Sequence, residues 1–299
     1  MTSKINYFPV HTLERKNFPD DFRQIPHLPE VLYYRGSLPD FHLSWIAMVG
    51  TRRPSPNAET ICQKLIRNLQ GTDAVVLSGL AQGIDSYCHQ SALFYKIPTV
   101  AVIAQGIELE IGGSRKIVAE KILESGGAII SEYPGRTPPL AFMFPQRNRI
   151  IAGLSKSVTL IESKDRGGGM LTVEYAQKLK RKILAVPGSL LSETAQGPNR
   201  LISQKIAEPV WNPNDFSDLC GARRLTDISP QNLPGMGIRL SESAQKLFDQ
   251  NAGFTHSLND LCANSSFPIS QILAILTELE IAGLVHSKDG DAFHFSIPE

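Results

Sequence analysis

Residues 45–50 read Trp-Ile-Ala-Met-Val-Gly, and residues 51–56 continue Thr-Arg-Arg-Pro-Ser-Pro. Five apolar residues in a row leave no strand face for water, so the run reads as a strand buried on both sides. Gly50 and Thr51 make the turn, Arg52 and Arg53 are left exposed, and Pro54 and Pro56 stand near the start of a helix. The same grammar recurs at AVVLSG (74–79), TVAVIAQG (99–106), AIISE (128–132), SVTLIES (157–163) and KILAVPG (182–188). Six such runs, alternating with helically spaced segments, predict an α/β fold: a Rossmann-like, mostly parallel sheet with helices on both faces.

The flanks read differently. Residues 1–44, with FPDDFRQIPHLPEVLYYRGSLP, are rich in proline and aromatics and predict an irregular segment packed on a core that spans 45–212. Pro, Asn, Asp and Gly accumulate over 213–238, which reads as a linker. Residues 239–299 hold three helix-like segments and then two short apolar runs around Lys-Asp-Gly-Asp, the pattern of a small winged-helix-like domain. Its third helix offers Gln271 and Glu278 or Glu280 to a groove, so direct base reading is weak and a protein-contact role competes with it.

The chain has 299 residues and a net charge of +1, so any polyanionic partner must be held by a local patch rather than a global field. The cysteines at 62, 88, 220 and 262 form no CxxC pair, and the seven histidines show no zinc spacing. Reduced thiols, no metal and no cofactor are expected. The segment MTSKINYFPV lacks a signal-peptide pattern, and no apolar run approaches the ~18 residues of a membrane span. A cytoplasmic protein without a membrane partner is the expectation.

In an open parallel sheet, ligands bind outside the carboxyl ends of the strands. Four turns there favour an anion: GTRRPSP; SGLAQGID, where Ser78, Gly79 and Gly83 allow close backbone approach and Asp85 can cap a helix; the Arg-Asn-Arg of FPQRNRIIAG (144–153); and KDRGGGMLT, with glycines at 167–169. Glycine turns before helices are common, so the weight lies in their convergence on one edge. The denser basic run KLKRK (178–182) ends a helix at the opposite edge, where cations satisfy a helix dipole. His89 reads as a packed or capping residue, and Ser78 lacks the GxSxG setting of a nucleophile.

These motifs, from LPEVLYYRGSLP through GTRR, SGLAQGID, SEYPGRTPP, FPQRNRIIAGLS, AVPG and GPNRLI, resemble the DNA-processing protein A (DprA/Smf) family over nearly the whole chain. The resemblance implies a single-stranded DNA-binding protein of natural transformation and DNA recombination. Such a protein protects incoming strands, helps load a RecA-type recombinase, forms a homodimer through the core and is not an enzyme. Placed on this sequence, the strand would be held by Arg52, Arg53, Ser78, Gly79, Gln82, Gly83, Arg115, Lys116, Phe144, Arg147, Asn148, Arg149, Gly168, Gly169 and Thr172. The chain departs from the family's SGGARGID at Leu80 and Gln82. It also has Ile111-Gly112 where Tyr-Pro is usual, and GGGMLTV in place of SGSLxTA. Arg115 and Lys116 can restore the basic charge lost at Gln82.

The alternatives are a nucleotide phosphoribohydrolase, since GGGMLTVE partly matches PGGxGTxxE with Glu174 near the acid's place, and a module binding a small nucleotide. Leu171 in place of the glycine and the missing proline weigh against the hydrolase.

Overall fold

The computed structural model describes residues 4–225, 241–251, 255–265, 267–281, 284–288 and 292–295, and the chain divides into two units, Met1–Arg224 and Leu225–Glu299. In the first unit the strands are β1 (His11–Glu14), β2 (Val31–Gly36), β3 (Ser44–Val49), β4 (Ala74–Ser78), β5 (Thr99–Ile103), β6 (Ala128–Ser131), β7 (Ser157–Leu160), β8 (Lys182–Ala185) and β9 (Glu208–Pro209). Their order in space is β1-β2-β6-β5-β4-β3-β7-β8-β9. All pairs from β6 to β9 are parallel. The six apolar runs are β3 to β8.

The alternation inside β3 shows why both faces are apolar. Trp45, Ala47 and Val49 pack with Ile150 and Ile151 of α4 (Met143–Leu154) and Val173 of α5 (Gly168–Lys178). Ile46 and Met48 pack instead with Cys62 and Leu65 of α1 (Ala58–Arg67) and with Ile84 and Cys88 of α2 (Ile84–Phe94). A period of two thus sends successive side chains into two separate cores. Two more helices, α3 (Ser114–Glu124) and α6 (Gln196–Ser203), complete the cover. Because β4 follows β3 on one side while β7 pairs it on the other, the winding reverses at β3. A crevice must open there, outside the strand ends.

Two boundaries differ from the sequence reading. The segment 1–44 is not irregular throughout: β2 pairs antiparallel with β6, Tyr33 opposite Ser131, and β1 pairs with β2. Short antiparallel strands at a sheet edge need little apolar sequence, so the prolines around them masked them. Residues 213–224 are not linker. Phe216 and Cys220 of α7 (Phe216–Cys220) are buried in the α1–α2 core, and Arg223 bonds the buried Asp73 through Nε at 2.8 Å. Residues 226–238 of the expected linker lie outside the described residues.

The second unit contains α8 (Glu242–Asn251), β10 (Thr255–Ser257), α9 (Leu258–Asn264), α10 (Ile269–Ile281), β11 (Val285–Lys288) and β12 (Ala292–Phe295). Leu247, Phe248, Leu261, Ile272, Leu276 and Phe295 form its core. Ser257 and Asp260 cap α9 reciprocally. Three helices and an antiparallel sheet, β10-β12-β11, make a winged helix. The turn expected at Lys-Asp-Gly-Asp lies outside the described residues beyond Lys288. Among the described residues no helix is long and apolar enough to cross a membrane.

Candidate functional site

The crevice at the switch point is a cavity of about 420 Å³. Its wall is built where the β3 and β7 ends meet. Thr51 N donates to Glu162 O at 2.8 Å, and the Glu162 carboxylate accepts from Ser55 N at 2.8 Å and from the Ser55 hydroxyl. The loop between is pinned at both ends, and Arg52 and Arg53 project from it, exposed. The Arg52 guanidinium lies 5.1 Å from the centre of the Phe144 ring, a cation–π contact that joins this loop to the start of α4.

Across the cavity, Gly168 and Gly169 open α5, whose leading amides have no acceptor within the helix. Gly169 is needed for volume: a Cβ there would lie 3.2 Å from Gly50 Cα and 2.9 Å from Leu160 Cδ1. Asn148 donates to Gly168 O at 3.4 Å, and the buried Thr172 completes this wall.

Arg147 also lines the cavity, but not as a free phosphate ligand. It is 5% exposed, and its Nη1 donates to Gly79 O at 2.6 Å and to Val102 O, with Nε on Asn148 Oδ1 at 3.2 Å. Burial lowers its pKa from the ordinary value to about 10, opposed by the Asp85 carboxylate and assisted by the Arg52 and Arg115 charges. It stays charged at neutral pH. Asp85 accepts from Ala81 N at 3.3 Å and has its own pKa raised by burial, against the pull of Arg147. Arg147 therefore straps the ends of β4 and β5 together and supplies charge to the cavity wall.

Arg149 does not reach the cavity. It pairs with Glu132 and donates to His27 O at 2.8 Å. Ser78 is buried with its hydroxyl on Met48 O at 2.6 Å, and Gly83, at φ +85°, leaves room for Thr51 O, which a Cβ would approach to 2.5 Å. Both hold the β4–α2 turn together rather than face a ligand. Gln82 is exposed, outside the lining, and Lys116 pairs with Glu110 at 3.3 Å. Arg115 lies outside the lining but acts on Arg147. The cavity includes Lys164, which the sequence reading passed over and which pairs with Glu193. A lysine directly after a buried strand run was the available signal. Glu174, the acid of the hydrolase reading, is exposed on α5 and outside the lining.

At the opposite edge Arg181 donates to Gly153 O at 2.9 Å and pairs with Asp21, so it caps α4 rather than its own helix, while Lys182 pairs with Glu208. Cys62, Cys88 and Cys220 are buried free thiols, and Cys262 is a half-buried one. Among the described residues no three His, Cys, Asp or Glu side chains are grouped to hold a metal.

The first unit is thus a Rossmann-like domain with a cation-rimmed cavity at its switch point, and the second is a winged helix. The family model of DNA recombination-mediator protein A matches residues 9–221 and that of the DprA winged helix domain matches 240–291: the chain belongs to this family. It is 30% identical to Protein Smf of Escherichia coli over 281 residues, covering 91% of this chain and 74% of that one. It is 34% identical to DNA processing protein DprA of Streptococcus pneumoniae over 204 residues, 68% of this chain and 72% of that one. The solved structure of the Streptococcus pneumoniae protein aligns with a TM-score of 0.64 at 33% identity, over 72% of this chain and 74% of that one. A structure of DNA processing protein A from Helicobacter pylori, described as showing a unique single-stranded DNA binding mode, aligns with a TM-score of 0.64 at 28% identity, over 71% and 95%.

Proposed function

We propose that this chain binds single-stranded DNA in the switch-point cavity and acts in DNA recombination during natural transformation. In that role it protects strands and helps a RecA-type recombinase onto them, working as a homodimer. The observation that carries the reading is the pairing of Arg52 with Phe144 at 5.1 Å on the rim of a cavity whose far wall is the amide end of α5. A strand needs both features: phosphates seek cations and helix-first amides, and unstacked bases seek an aromatic face. The likeness to DprA proteins, one of them described with single-stranded DNA, supports the same ligand here.

Glycine turns and arginines read a flexible backbone, so affinity for single strands exceeds that for duplex with little sequence dependence. With about four phosphate contacts, log affinity falls with log salt at a slope near −3. Fluorescence anisotropy with labelled oligo(dT) and a duplex of equal length, at two salt concentrations, tests this. Equal affinity for duplex sinks it. Recombinase loading is tested by strand exchange on DNA covered by a single-strand binding protein, where the chain restores the rate.

A further inference from the structure

Small-ligand cavities run from about 300 to 1,000 Å³, so one of about 420 Å³ takes only a short piece of a strand, and the rest must leave over the surface. Two exits exist, over the ends of β7 and β8 or over those of β4, β5 and β6. Charge does not choose between them. On the β7–β8 side Lys164 pairs with Glu193 and Arg200 with Asp165, leaving Arg166 unpaired among the described residues. On the other side Arg115 and Arg136 are unpaired among the described residues, offset by the exposed Glu108.

Stacking surface does choose. Past β8 stand Leu190 and Leu191, and the exposed ring on that side, Trp211, follows the outermost strand β9, two strands beyond β7 and the cavity. Past β6 stands Phe142, 54% exposed, two residues before Phe144, and Tyr133 donates to Gln146 Oε1 at 3.2 Å beside it. The loop carrying Arg136 is zipped to the end of β5 through Gly106 N to Thr137 O at 2.8 Å and Glu108 N to Gly135 O at 2.8 Å. Arg147, buried between, feels the charges of both Arg52 on the cavity rim and Arg115 at the start of α3.

We propose that the strand leaves the cavity over β4 to β6, with Phe142 as a second base platform and Arg136 and Arg115 on its phosphates. This rests on the cavity binding single-stranded DNA. Basic grooves with successive aromatic rings are how non-specific strand binders gain affinity with length.

The test compares oligo(dT) of about four and about fifteen nucleotides. Arg136→Ala with Phe142→Ala weakens the longer strand about tenfold or more and the shorter by less than about twofold, and Arg136→Ala alone flattens the salt slope by about 0.7. Phe142→Leu, which keeps apolar bulk but removes the ring, shares the loss on the longer strand should Phe142→Ala melt early. Arg166→Ala with Leu190→Ser changes neither. If Arg136→Ala with Phe142→Ala leaves the longer strand unaffected while Arg52→Ala weakens both, the path is wrong and the cavity stands. A larger loss from Arg166→Ala with Leu190→Ser puts the path over β8. If Arg52→Ala weakens neither strand, the cavity reading fails and the path with it.

Discussion

Gly79 makes room for Arg147: a Cβ at Gly79 would lie 2.4 Å from Arg147 Nη2, while the Gly79 carbonyl accepts Nη1 at 2.6 Å. The glycine is there for volume, not for backbone freedom, since its φ is not positive. A guanidinium is planar and forked, so one side chain reaches the carbonyls of Gly79 and Val102 while facing Asp85.

Gly79→Ala therefore expels the guanidinium and strands Asp85 as a buried charge. Loss of one partner of a buried pair costs about 3–5 kcal/mol, and Arg147→Ala should cost as much. Arg147→Lys recovers little, because an ammonium lacks the fork. Urea unfolding measures all three; a Gly79→Ala loss under about 1 kcal/mol would show that the strap is dispensable.

Leu80 sets two effects against each other. It holds φ at +54°, which costs a non-glycine residue roughly 1–2 kcal/mol, yet it is 1% exposed among Ile103, Ile111 and Val118. Truncating a buried leucine costs about 2–5 kcal/mol, so burial wins. Leu80→Gly, which restores the glycine of the family pattern, should destabilise by about 2 kcal/mol in chemical unfolding. A gain in stability would mean the strain dominates.

The sheet was legible because six strands are apolar on both faces, and the site's place followed from what succeeds them. Arg52, Arg53, Phe144, Gly168 and Gly169 line the cavity where strand-end turns put them. The Arg-Asn-Arg motif was legible only in part, since sequence gives charge but not direction: Arg147 and Asn148 line the cavity and Arg149 does not. Residues two apart on a helix do not share a face, so Arg147 and Arg149 of α4 diverge, one to the cavity wall and one to Glu132. Lys164 was missed because a lone lysine after a strand reads as surface.

His89 gives the fold a pH dependence. Thr99 Oγ1 donates to Val76 O at 2.9 Å, so it accepts from His89 Nδ1 at 2.7 Å, and the buried Nε2 has no partner among the described residues. The ring is neutral: burial, with the Arg147 charge, lowers its pKa to about 3. A histidine near 6.5 when unfolded takes up a proton there before it does in the fold, so stability falls as pH drops below about 6.5, by up to about 1.4 kcal/mol per unit. His89→Gln should flatten that slope between pH 6.5 and 4, as followed by urea midpoints. An unchanged slope would assign the acid sensitivity elsewhere.

A core fragment must end after Arg223, not at the point where the sequence turns rich in proline and asparagine. Phe216 and Cys220 fill the α1–α2 core, and Arg223 donates to the Asp73 carboxylate through its backbone N–H and its Nε, both at 2.8 Å. Asp73 is buried and would be left unpaired. Losing a buried phenylalanine costs about 1.5–3 kcal/mol and stranding a buried carboxylate about 3–5 kcal/mol, a sum comparable to the whole stability of many domains. A fragment of residues 1–224 should therefore unfold cooperatively and keep most of the strand affinity, since the cavity lies wholly within it. One of residues 1–212 should melt far lower or fail to fold. Asp73→Ala in the shorter fragment separates the two contributions, because it removes the stranded charge and leaves only the loss from Phe216 and Cys220. If 1–212 matches 1–224 in its melt, the segment from Pro213 to Arg224 is mere surface and the domain boundary moves back to Asn212.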